Sequence, residues 1–306
     1  MFGLLLLFAV CSIGNATHFI TKVNETVHHN VVLKNNEAWN PEMYAKKIIF
    51  RNLTGEITPK SFSLLTKVEE IYFAHSSISN IHHNAFGSNP RLKTLQFSYN
   101  EYLPEITNEV LRNCRNLRKF SMGHNKKIEG ISDYLFSNLH NLTHVEITKE
   151  NKLPKRITKA FFNNSKSLES VKLHFSNITA IDSDAFENLD RLQFLSLVEN
   201  EIVEIGAGAF KSPNLIQIYL GWNKLTSFTG EELSSLRNLR TLDISFNPLK
   251  RIDLEQITHA APKLKNLLLM RTSLNCDEKR SIKMKESTYL AIGMDLMELE
   301  KCDARR

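Results

Sequence analysis

The stretch Leu192-Gln-Phe-Leu195-Ser-Leu197-Val-Glu-Asn200-Glu-Ile202 recurs 47 residues later as Leu239-Arg-Thr-Leu242-Asp-Ile244-Ser-Phe-Asn247-Pro-Leu249. Both follow one frame of eleven positions, apolar at one, four, six and eleven, with Asn at nine. The same frame opens at Ala45, Val68, Leu92, Leu117, Leu142, Leu168, Leu192, Leu215, Leu239 and Leu264, in steps of 23 to 26 residues. A fixed period in this range is the mark of a repeat array. Positions four to six alternate with the period of a strand, so their apolar side chains turn inward and the residues between them outward. No such unit can bury its own apolar edge, and stability comes from stacking neighbours. The expectation is one continuous solenoid rather than two ordinary domains, with a parallel sheet roughly 45–50 Å along its edge.

Position nine turns the chain out of the strand. Asn suits it because one side-chain amide can both donate to and accept from the backbone of adjacent coils. Asn100, Asn125, Asn200, Asn223 and Asn247 supply this ladder, with Ser76, Ser176 and Thr272 as weaker stand-ins. Ile81, Ile181, Ile205, Phe228 and Ile252 are read as inward, and Phe86, Phe136, Phe186 and Phe210 recur on the return path. The 25- and 26-residue units are expected to carry small bulges along one rim. In one of them Glu150 takes the ladder position, and Asn151 is the residue expected to slide in and serve.

The leader sets the compartment. Leu4-Leu5-Leu6-Leu7-Phe8-Ala9-Val10 precedes Ser12, Gly14 and Ala16, which reads as a signal peptide over residues 1–16 cleaved near Gly14 or Ala16. It is too short for a membrane span, which needs roughly 20 apolar residues. Asn-x-Ser/Thr acceptors at Asn24, Asn52, Asn141, Asn163 and Asn177 agree with a secreted, extracellular glycoprotein. The net charge is +6, spread without a polybasic block. Solvated surface charge is its plain reading, and contact with an anionic polysaccharide or membrane surface the other.

The units resemble the typical 24-residue class of extracellular leucine-rich repeats over about residues 45–275. That resemblance implies an α/β solenoid, a horseshoe of about ten repeats with a concave parallel β-sheet and convex loops and short helical turns. Residues 17–44 then form an N-terminal cap without a disulfide, with Val31, Val32, Leu33 and Trp39 as its cover. Residues 276–306 resemble a reduced C-terminal cap, with Cys276 paired to Cys302 and a short helix over 278–287. The assembly is also similar to secreted, immune-type leucine-rich-repeat proteins of insects, but without their coiled-coil tail. Cys114 is left over: a buried thiol packing as a small apolar group, or a disulfide dimer.

Outward positions decide where a partner sits. The later units expose Phe175, Phe194, Tyr219, Trp222, Phe246 and Met270, and the earlier ones mainly Lys46, Lys47, Glu69, Glu70, Lys93, Arg118 and Lys119. Exposed apolar patches mark interaction surfaces and aromatic anchors dominate binding energy, although part of each ring packs on its neighbours. No nucleophile motif, phosphate loop or paired-carboxylate site stands out, and the scattered His75, His124, His144 and His174 show no metal-ligand spacing. The expectation is a non-enzymatic recognition protein without cofactor or metal. Its partner is an extracellular protein or glycan, not nucleic acid, and innate immunity is its setting. A self-associating matrix or adhesion component is the alternative.

Overall fold

A computed structural model describes residues 11–13, 16–22, 25–34, 37–40, 45–234 and 236–303. It divides into two compact units, 1–135 and 136–306. Both are stacks of the same coil. In the first unit the sheet runs through β1 (Glu25–His29), β2 (Lys47–Arg51), β3 (Glu70–Ala74), β4 (Thr94–Ser98) and β5 (Lys119–Gly123). All five pair in parallel, with Glu25, Lys47, Glu70, Thr94 and Lys119 in one row. Two antiparallel strands, Cys11–Ile13 and Ala16–Lys22, precede them, and the second pairs with β1.

β1 is in register with the repeats although it lies before the first recognisable one. Its inward residues are Thr26 and His28, opposite Ile48 and Phe50. Both are buried, His28 Nε2 lies 3.1 Å from Thr26 Oγ1, and the Trp39 ring packs edge-on against His28 and Phe50. Polar inward residues hid this coil from an apolar template.

Position six is Phe in three successive coils here, and Phe50, Phe73 and Phe97 stack at 5.3 and 5.1 Å between centroids. On the return path Phe62 and Phe86 form a second column at 6.1 Å. A buried ring of this kind contributes about 1.5–3 kcal/mol by leaving water. At the longer units the expected irregularity falls at Glu101: Ser76 bonds to Asn100, 24 residues on, but Ser77 pairs with Tyr102, 25 residues on, after which Tyr102–Leu103 pairs in register with Lys127–Ile128. Both units carry the same extra residue, so neighbours stay matched. A further irregularity falls at Gly55–Glu56, where Gly55 sits at φ 106° against the Leu33 carbonyl.

In the second unit the parallel sheet runs through β6 (His144–Thr148), β7 (Ser170–His174), β8 (Phe194–Ser196), β9 (Gln217–Tyr219), β10 (Thr241–Asp243), β11 (Asn266–Leu268) and β12 (Ala291–Gly293). This unit has a Phe column of its own, Phe136, Phe162, Phe186 and Phe210, about 6 Å apart. Ile181 and Phe228 are fully buried, while Ile205 and Ile252 are half-buried. Asp182, Asp184 and Glu187 do more than solvate the return path: each is ion-paired across a coil, with Arg156, Lys211 and Lys159 respectively.

The ladder forms as the frame requires. Within the first unit, Ser76 N donates to Asn100 Oδ1 (2.9 Å) and Asn100 N to Asn125 Oδ1 (3.0 Å). Within the second, Ser176 N donates to Asn200 Oδ1, Ile202 N to Asn223 Oδ1 and Leu225 N to Asn247 Oδ1, at 2.9–3.0 Å. Asn151 does not slide in. Glu150 is itself fully buried at the ladder position, and exposed Asn151 accepts instead from Asn177 Nδ2.

At the C-terminal end, α1 (Cys276–Met284) starts two residues earlier than expected because Asn275 Oδ1 caps it, accepting from Glu278 N at 2.9 Å. Cys276 is bonded to Cys302 on α2 (Leu296–Asp303), and β12 closes onto β11. Cys114 is 4 % exposed, and burial pushes its thiol pKa up to about 12. The expected alternative of a disulfide dimer through Cys114 therefore has no accessible thiol in this conformation.

Candidate binding face

Position eight sets the geometry of the face. In all ten repeats it lies in the left-handed region: Asn52, His75, Tyr99, His124, Lys149, Phe175, Glu199, Trp222, Phe246 and Arg271 have φ between 50° and 59°. For residues other than glycine this conformation costs roughly 1–2 kcal/mol, and the stack sustains it through bonds between coils. Trp222 N donates to Ser245 O (3.0 Å) and Phe246 N to Met270 O (2.7 Å). No β-branched residue occupies the position. Asn30, after β1, has the same φ of 55°.

In the second unit this arrangement brings the expected residues together in pairs. Trp222 and Phe246 lie face to face, 3.9 Å between centroids and 7° from parallel. Phe194 and Tyr219, on neighbouring strands, meet at 5.5 Å. Lys149 Nζ lies 5.2 Å from the Phe175 ring and Lys172 Nζ 5.7 Å from that of Phe194, contacts worth about 0.5–1 kcal/mol each where solvated. Trp222 remains 53 % exposed, Met270 38 % and Phe175 37 %. Phe194, Tyr219 and Phe246 are half-buried. Met270 joins Phe246 through the backbone, and its N–H donates to Ser245 Oγ (3.1 Å).

His174 lies on the same face with Nε2 2.7 Å from Ser196 Oγ, and its pKa is lowered by burial first and then by Lys172, against an upward pull from Glu146. A recess of about 460 Å³ lies elsewhere, walled by Thr229, Arg251, Gln256, Glu278 and Lys285 among others, and no aromatic ring lines it.

The first unit carries a ring stack that residue types alone did not expose. Tyr99 lies between His75 and His124, at 5.6 and 4.6 Å. The available signal was position eight itself, since three ring residues occupy it in successive coils. Several charges of this unit are already engaged: Lys47 pairs with Glu25 (3.0 Å) and lies over Tyr72, and Lys93 pairs with Glu69 (2.8 Å).

Asn52, Asn141, Asn163 and Asn177 are exposed. Beside Asn163, the acceptor's Ser165 is buried and donates to Phe136 O (2.5 Å). Asn24 and most of the expected signal segment lie outside the described residues. Among the described residues no helix is long and apolar enough to cross a membrane.

A leucine-rich-repeat family model matches residues 149–202 and 191–249, and a BspA-type leucine-rich-repeat region model, in six copies, matches residues 35–155. The chain is a leucine-rich-repeat protein, and its fold is the leucine-rich-repeat solenoid. It is similar to human lumican, 24 % identical over 229 residues, covering 67 % of this chain and 64 % of lumican. Human Toll-like receptor 3 is 27 % identical over 208 residues, 63 % of this chain and 23 % of the receptor. Dog decorin is 29 % identical over 106 residues, 34 % of this chain and 29 % of decorin. The chain thus spans less than two thirds of these relatives. Among solved structures, TLR13 in complex with single-stranded RNA superposes with a TM-score of 0.62 at 18 % identity, over 82 % of this chain and 40 % of that one. A chain of the octameric complex of latrophilin 3, Unc5D and the leucine-rich-repeat part of FLRT2 gives 0.57 at 18 %, over 81 % and 83 %. At such identity the likeness is one of fold alone.

Proposed function

We propose that this chain is a secreted, non-enzymatic recognition protein that takes an extracellular protein or glycan on the outward sheet face of residues 136–306. The observation that carries the reading is the Trp222–Phe246 pair, a rigid, half-solvated ring platform next to Met270, with Phe175 exposed two coils before Trp222. Such rings offer large contact area at little loss of side-chain freedom, which is why they anchor interfaces. Toll-like receptor 3, one of the relatives named above, is a receptor, in keeping with this role. The leader, the exposed Asn-x-Ser/Thr acceptors and the sparse cysteines support release from the cell and a place in humoral immunity. The alternative of a self-associating matrix component loses its covalent route with the burial of Cys114.

The test is capture from extracellular fluid on the immobilised full-length chain, repeated with Trp222→Ala/Phe246→Ala. We expect a partner retained by the native chain and lost from the variant, with both proteins equally folded by circular dichroism. Equal capture by the two would remove this face from the account.

A further inference from the structure

A second surface, in residues 1–135, has a different chemistry. Glu69 N donates to Lys46 O, Lys93 N to Glu69 O and Arg118 N to Lys93 O, at 2.7–2.8 Å. These bonds set Lys46, Glu69, Lys93 and Arg118 in one row across four coils, at the strand spacing of about 4.8 Å. Immediately before the strands, Arg91 and Arg115 add two more exposed cations. Two open recesses of about 330 and 450 Å³ adjoin here and share Pro90 and Asn116. Their walls hold Arg91, Lys93, Arg115 and Arg118 together with Glu69, which pairs with Lys93 at 2.8 Å. The positive field registers on Glu69, whose pKa is lowered by its bond to Lys93 and further by Lys46 and Arg91.

The remaining lining narrows the ligand. Asn84, Asn113 and Asn116 supply amides, Pro90 and Gly87 the rest, and no aromatic ring is present. Single-stranded nucleic acid is held by stacking its bases on aromatic side chains, and a membrane surface by insertion of large apolar ones. This groove offers neither. It offers spaced cations for anionic groups, with Arg suited to two-point contact with planar or tetrahedral oxyanions, and amides for hydroxyls.

We propose that this groove binds a linear sulfated polysaccharide, its sulfates on Arg91, Arg115 and Arg118. The site is independent of the aromatic face described above.

The experiment measures heparin binding to the full-length chain at about 0.15 M salt, close to the physiological condition where exposed charges are screened within about 8 Å. It compares Arg91→Ser/Arg118→Ser with a charge-matched control, Arg237→Ser/Lys250→Ser, on exposed positions elsewhere. The expected result is at least a tenfold loss in the first variant and none in the control, with less salt dependence in the first. Equal weakening in both variants would mean net charge and no site. Tighter binding of single-stranded RNA or phosphatidylserine vesicles than of heparin would overturn the assignment of the ligand.

Discussion

Replacing Asn200 by Ala isolates what the ladder contributes. Asn200 is buried; its Oδ1 accepts from Ser176 N (2.9 Å) and Ile178 N (3.3 Å), and its Nδ2 donates to Leu173 O (2.7 Å) and Leu197 O (3.0 Å). The variant strands two buried backbone donors, each costing about 1–3 kcal/mol when unmade. We expect a loss of about 3 kcal/mol, on the order of a hundredfold in the local opening constant. Hydrogen exchange at the Ser176 and Ile178 amides reads this opening directly, because exchange there is governed by local rather than global unfolding. Asn200→Leu keeps the branched shape and the number of side-chain heavy atoms and removes the same bonds, so it should lose at least as much. If the Leu variant exchanges like the native chain, position nine serves packing and the hydrogen-bond reasoning is wrong.

Three further outcomes follow from the structure. Cys114 should resist alkylation at pH 8 in the native chain and react fully in denaturant. Its folded pKa of about 12 exceeds the ordinary 9.0, so the native state keeps a proton that the unfolded chain releases, and stability falls as pH rises from about 9 toward 12. His174 acts at the opposite end: its folded pKa lies below 6.5, the unfolded chain binds more protons, and stability falls as pH drops below about 6.5. His174→Gln should flatten that limb in a denaturation series. Cys302→Ser opens a loop with a sequence separation of 26, for which chain entropy gives about 3.5 kcal/mol; thermal unfolding should show the cap loosening, and an unchanged transition would contradict that.

Much of the architecture was legible because the repeat imposes one pattern on many coils. Leu195, Leu197, Asn200 and their equivalents obey it, and each error of a single coil is outvoted by its neighbours. The missed coil at β1 shows the limit: Thr26 and His28 face inward by virtue of their pairing with Ile48 and Phe50, which no apolar template registers. Glu150 shows the same, since its burial at the ladder position is decided by backbone register and not by its own preference for water. At the candidate face the six expected residues lie outward or partly outward. Their pairing as Trp222 on Phe246 and Phe194 against Tyr219 was beyond a linear reading.

The amino-acid order alone determined the period, the strand in each coil, the inward set and the ladder, because these are local alternations multiplied by stacking. Only the tertiary structure decided which rings touch, that position eight is left-handed throughout, that Cys114 is sealed, and that Arg91, Lys93, Arg115 and Arg118 line two adjoining recesses. Those facts depend on residues some 24 positions apart being set about 4.8 Å apart, and on water being excluded between them.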